Sequence, residues 1–163
     1  MNIEKLFSDE NYLKKELEFF KKQIGYLEQN HELVKAHLKK ARHNLDFYSL
    51  NKENQKFRDW LIVTLYYALY HSALALIKNK GYSSKNHYAT ILILIKEYSI
   101  TEEEAKLIDE LLINKEDAQL YSDLKDDRHD ASYATNIKFS QDTIDEYEEK
   151  VKDFINKSQE LIK

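Results

Sequence analysis

Arg128 stands where an apolar side chain would be expected. From Asp117 to Tyr133, the residues Tyr121, Leu124, Arg128 and Ala131 recur at steps of three, four and three. That spacing places them on one face of a helix. Three of the four favour leaving water, so the guanidinium is drawn toward a packed surface or a cleft. An arginine cannot shed its charge, and it is held in such a place only by a carboxylate, a phosphate or backbone carbonyls. One reading is a structural ion pair to a neighbouring helix; the other is an anion-binding site.

His71 raises the same question. It lies within Tyr66-Tyr67-Ala68-Leu69-Tyr70-His71-Ser72-Ala73-Leu74, inside the most apolar stretch of the chain. It is either a satisfied core histidine or part of the polar lining of a groove shared with Arg128. Lys35, Lys39, Lys40, Arg42 and His43 form a basic stretch that reads as a solvated face or as a set of phosphate contacts. The six histidines, at 31, 37, 43, 71, 87 and 129, include no His-Glu-x-x-His pair and no cluster at ligand intervals, so no metal is expected. Two glycines, Gly25 and Gly81, cannot build a Gly-rich phosphate loop, and no cofactor is expected.

These residues need helices to hold them. Ser8-Asp9 can cap a first helix with the stripe Leu13, Leu17, Phe20, Ile24 and Leu27, which Gly25 would weaken. Val34, Leu38, Ala41, Leu45 and Tyr48 form a second stripe. The two can merge into one helix over about 9–50 or bend near 28–31. An apolar helix runs from about Lys56 to Asn79 with Gly81 as its C′ residue. Ser83 or Ser84 caps a short helix from Lys85 to about Tyr98. Thr101 and Glu104 fit a capping box opening a helix through Ile113. The Arg128 helix runs from about Lys115 to Ala134. Ser140 starts the last helix, with Ile144, Tyr147, Val151, Phe154 and Leu161 facing in.

At 163 residues the chain has no Pro, no Cys, and much Leu, Lys, Glu and Ile, which points to one all-helical unit. The lack of cysteine removes disulfides, thiol nucleophiles and Cys-based zinc sites. A net charge of −4 means that nucleic-acid binding would have to come from a local basic patch. Met1-Asn2-Ile3-Glu4-Lys5 does not read as a secretory signal, and a cytoplasmic location is expected. The uncharged run Trp60 to Ile77 reaches membrane-spanning length. Its interior Tyr and His residues suit a helix enclosed by other helices instead.

Three blocks give the chain a resemblance to the HEPN (higher eukaryotes and prokaryotes nucleotide-binding) superfamily. They are His37-Leu38-Lys39-Lys40-Ala41-Arg42-His43-Asn44-Leu45; Leu65 through Ile77 followed by Lys80-Gly81 and Ser84-Lys85-Asn86-His87; and Leu124 through Tyr133 with a closing amphipathic helix. The resemblance covers about residues 33–162. It implies an up-and-down bundle of four to five helices over 33–163, with an additional N-terminal helical extension over 1–32, and a homodimer. In ribonuclease members of the family an Arg, a polar residue and a His after four to six intervening positions meet across the dimer cleft. Arg128 and His129 match the first two, but Tyr133 occupies the expected His position and no His follows it.

That departure bears on mechanism. Metal-free RNA cleavage needs a base, an acid and a cation on the phosphorane. A tyrosine with a pKa of about 10 is a poor base at neutral pH. The expected function is therefore a HEPN-like protein of a toxin–antitoxin or defence system, with catalysis weak or absent. It would bind RNA, a nucleotide phosphate or a nucleotidyltransferase-type partner through a dimer cleft at Arg128. Tyr133, His71, Tyr67 and Ser132 would line that cleft. The alternatives are a metal-independent ribonuclease toxin using Arg128 and His129, and a structural dimerisation domain in which Arg128 pairs with Asp127 or Asp130.

Overall fold

The computed structural model describes residues 2–53, 58–126 and 140–162, with the backbone alone for 114 and 116–126. Among these, seven α-helices and one two-stranded sheet follow in the order α1 (Ile3–Ser8), α2 (Glu10–Phe19), β1 (Ile24–Tyr26), α3 (His31–Asn51), α4 (Arg58–Asn79), β2 (Tyr82–Ser84), α5 (His87–Tyr98), α6 (Glu102–Asp126) and α7 (Gln141–Leu161). The protein is an all-α bundle.

Local sequence sets most boundaries. Asp9 caps α2, its Oδ1 accepting from the amides of Asn11 and Tyr12. Asn30 caps α3 and Asn86 caps α5, each through its side-chain oxygen. Thr101 and Glu104 form the expected reciprocal box: the Glu104 amide donates to Thr101 Oγ1 at 3.1 Å, and the Thr101 amide donates to the Glu104 carboxylate at 2.7 Å. Ser140 caps α7 by accepting from the Thr143 amide.

α4 is the centre. Thirteen of its residues are buried, from Leu61 to Ile77, and α3, α5, α6 and α7 pack against it. Its length and apolarity would suffice to cross a membrane, but 72% of its apolar window is buried inside the bundle. α5 buries Ile91, Leu92, Ile93 and Leu94 in succession, so it too is enclosed on most sides. Ile3 and Leu6 of α1 join the same core. Burying each such aliphatic side chain contributes about 1.5–3 kcal/mol before chain entropy is subtracted.

Several elements depart from the sequence expectation. The span 9–50 is two helices, and the break is wider than a bend. α2 stops at Phe19, a 3-10 turn follows over Lys21–Gln23, and Ile24–Tyr26 becomes a strand. That strand pairs antiparallel with Tyr82–Ser84, setting Gly25 opposite Ser83, so Ile24 belongs to a sheet and not to a helical stripe. α5 starts at His87 behind an Asn86 cap, because Ser84 is already in β2. α6 continues through Asn114-Lys115 to Asp126 where two helices were expected; no glycine or proline interrupts it. On α7, Leu161 is 42% exposed, while Ile155 and Ser158 are buried.

Gly81 is where expected and has a second use. Its φ is +76°, and a Cβ there would come within 2.9 Å of the Leu27 carbonyl oxygen. The Leu27 amide donates to the Gly81 carbonyl at 2.8 Å. One residue thus ends α4 and admits the strand from the N-terminal arm.

Candidate functional site

Of the residues singled out in the sequence, Arg128, His129, Ser132 and Tyr133 lie outside the described residues; Arg128 follows the last residue of α6 by two positions. Tyr67 and His71 are described. They share a face of α4 with Trp60 and Thr64 at helical steps of four, three and four. Trp60 is 46% and Tyr67 37% exposed, His71 is partly buried and Thr64 between them is buried, so among the described residues this face leaves a partly open strip on the central helix.

His71 does not stand alone on that strip. Its Nδ1 lies 3.0 Å from Nδ1 of His37 on α3, the rings tilted by 35°. One imidazole must donate and the other accept, so the contact accommodates at most one added proton. Burial, then His71, then Lys78 push the His37 pKa down to about 4. Burial and Lys40 likewise lower that of His71. The pair is neutral near pH 7, yet it is flanked by two lysines. Seven residues along α3 from His37, Asn44 keeps a buried Nδ2 with no partner among the described residues.

A second set of rings adjoins the strip. Tyr66 and Tyr70 are stacked at 5.6 Å between centroids, and His87 at the start of α5 stacks on Tyr70 at 5.8 Å. His87 Nε2 is 3.1 Å from the Ile108 carbonyl oxygen. A carbonyl only accepts, so Nε2 carries the proton and Nδ1 is a bare acceptor; that Nδ1 is buried and unpartnered among the described residues. Burial pushes the His87 pKa down to about 4, against the bond to Ile108 and with help from Lys115. Lys115, on α6, holds its Nζ 5.1 Å from the Tyr66 ring centroid and 5.7 Å from that of Tyr67.

The strip therefore offers open aromatic faces, neutral imidazoles that donate and accept, and ammonium groups nearby. Such a set suits a flat aromatic ligand carrying negative charge. No group of three or more His, Asp or Glu among the described residues could hold a metal ion.

The basic stretch divides. Arg42 donates to Asn156 Oδ1 at 2.8 Å and Gln159 Oε1 at 2.5 Å on α7, and Lys35 pairs with Glu32. Lys39, Lys40 and His43 are exposed. Sequence reasoning singled out His71 but missed His37, His87 and Lys115. His37 had a readable signal: it is three residues after Val34 and four before Ala41, on the edge of the buried stripe of α3. His87 and Lys115 had none, because their roles depend on how α5 and α6 pack against α4.

No protein-family model matches the chain, and no curated protein matches it in sequence.

Proposed function

We propose that this chain is a HEPN-like helical protein of a toxin–antitoxin or defence system that binds RNA or a nucleotide, with catalysis weak or absent. In this reading it works in the cytoplasm as a homodimer, and its neighbour is a nucleotidyltransferase-type protein. The observation that carries the reading is the partly open strip on α4, where Tyr67 stands beside Lys115 and His71, four residues further along the helix, is paired with His37. A base stacks on the exposed rings, worth about 1–3 kcal/mol per base. The phosphate is drawn by lysines and by Arg128. Weak catalysis follows from Tyr133 at the position where the resemblance expects His.

The test is titration of fluorescein-labelled single-stranded RNA, and separately of ATP, with purified protein in EDTA at low salt. Tyr67→Ala and Arg128→Ala are each expected to weaken binding about tenfold, or about 1.4 kcal/mol, while the RNA stays intact. Unchanged affinity in both variants overturns the reading.

One second reading takes the adjacent Arg128 and His129 of the sequence as the reacting groups. In it the protein is a metal-independent ribonuclease toxin in which Arg128 steadies the phosphorane and His129 acts as the base. Cleavage of the same RNA in EDTA, abolished by Arg128→Ala, would establish that reading in place of the first.

A further inference from the structure

A separate cavity of about 260 Å³ opens between α5, α2 and the small sheet. Its floor is apolar, from Leu17 of α2, Ile24 of β1 and Ile93 of α5. Lys14, Lys21 and Lys96 stand around it, with Glu18 the one acidic residue of the lining. Each of these lysines has a glutamate partner, Glu10, Glu18 and Glu97 in turn, so the cleft is close to neutral overall but carries three ammonium groups on its rim. Two tyrosines close one side: Tyr26 and Tyr82, neighbours across the sheet, with ring centroids 5.2 Å apart.

Two of the lysines are engaged by exposed partners, while Lys96 is held by the partly buried Glu97 and donates to the Tyr82 hydroxyl. Lys14 pairs with Glu10, Lys21 with Glu18 and Lys96 with Glu97. The Lys14 and Lys21 side chains are 66% and 69% exposed. Exposed pairs of this kind are worth about 0–1 kcal/mol, so an arriving anion displaces Glu18 from Lys21 at little cost, whereas at Lys96 it joins the Glu97 contact. Tyr82 is held by a hydrogen bond from its hydroxyl to Glu97 at 2.7 Å, with the Lys96 ammonium over its ring. That wall is set in place before any ligand arrives.

We propose that this cleft binds a small amphipathic anion, a medium-chain or aromatic carboxylate, whose apolar body rests on Leu17, Ile24 and Ile93 and whose carboxylate meets Lys21 and Lys96. The volume is just below the usual range of about 300–1,000 Å³ for ligand sites, which limits the occupant to one short chain or one ring system. A neutral molecule of the same shape gains the floor but not the ammonium groups. The site exists only where the N-terminal arm lies against α5, so the ligand also fastens that arm to the bundle. This inference is independent of the proposed function, because the cleft shares no lining residue with the strip on α4.

The experiment is an NMR titration of the full chain with octanoate and with octanol, followed by calorimetry. Octanoate is expected to shift the amides of Ile24–Tyr26 and Tyr82–Ser84 saturably, and to bind at least tenfold more tightly than octanol. Lys21→Gln with Lys96→Gln, both at exposed positions, should remove that preference. Leu17→Trp should fill the cavity and abolish binding by both probes. Because a tryptophan at that half-buried position could disturb α2, the lysine variant serves as the decisive one. Equal binding of octanoate and octanol, shifts that map elsewhere, or no saturable shift at millimolar octanoate overturns the proposal.

Discussion

Tyr48 with Glu148, and His37 with His71, are both contacts that bring titratable groups between packed helices, but they are finished to different degrees. Glu148 is 6% exposed and its carboxylate is fully engaged. It accepts from the Tyr48 hydroxyl at 3.1 Å, is paired with Lys152, and has Lys52 at 3.7 Å. This network ties α3 to α7 and leaves nothing over for a ligand. The histidine pair is half-buried on a partly open strip, and Asn44 further along α3 and His87 at the start of α5 hold polar atoms without partners among the described residues. A completed buried network is a structural device, whereas an incomplete one beside open aromatic faces is available for binding.

The largest effect expected from this difference is in acid. His37 and His87 have folded pKa values of about 4, against about 6.5 in the unfolded chain. Well above pH 6.5 both forms are neutral and no stability is lost. As pH falls from about 6.5 to 4, the unfolded chain takes up protons that the folded chain refuses. Stability then declines, by at most about 3 kcal/mol at the more enclosed His87 and by less at His37, whose half-exposed ring is screened by solvent, and the loss is complete below about pH 4. Urea midpoints measured from pH 7.5 to 4 should fall for the natural chain and fall less for His37→Asn with His87→Asn. Parallel curves for the two proteins would show that the strip does not hold its imidazoles neutral.

Next in size is Glu148→Ala, which unmakes the finished network. The lysines, each about two-fifths exposed, return to water. The Tyr48 hydroxyl, on a side chain with no exposure, is left without its acceptor. A loss of about 2 kcal/mol is expected from the stranded donor and the emptied space, read as a lower urea midpoint with unchanged RNA affinity. His37→Ala should show the reverse pattern, a small stability change and weaker binding. If both variants moved stability alone, the distinction between the two networks would collapse.

These expectations bear on what the sequence discloses. α4 was legible because an unbroken apolar run has only one comfortable place, and the Thr101–Glu104 box because its two partners are three residues apart. The strand Ile24–Tyr26 was not: its partner lies nearly sixty residues away, and three residues leave no periodicity to read. Asn114-Lys115 looked like a boundary from composition, yet nothing there prevents the helical hydrogen bonds of α6 from continuing. At the site, Tyr67 and His71 could be picked from one helix alone. Pairing His71 with His37 required the register of α3 against α4, which is fixed by packing and not by either segment.

The smallest effect isolates the cation of the strip. Lys115 lies over Tyr66 and Tyr67 at cation–π distance, a contact worth about 0.5–1 kcal/mol at an accessible site. It is also one of the groups that lower the His87 pKa. Lys115→Gln keeps the length and polarity of the side chain and removes the charge. If the proposed function holds, affinity for RNA should fall about threefold, which corresponds to about 0.6 kcal/mol, with a shallower dependence on salt because one cation beside the strip is gone. In the same variant an NMR titration should place the His87 midpoint higher than in the natural chain, since an imidazolium no longer forms beside an ammonium. The two readouts separate the roles: a moved His87 midpoint with unchanged affinity leaves Lys115 as a neighbour of the rings only, and an unmoved midpoint with unchanged affinity removes it from the strip altogether.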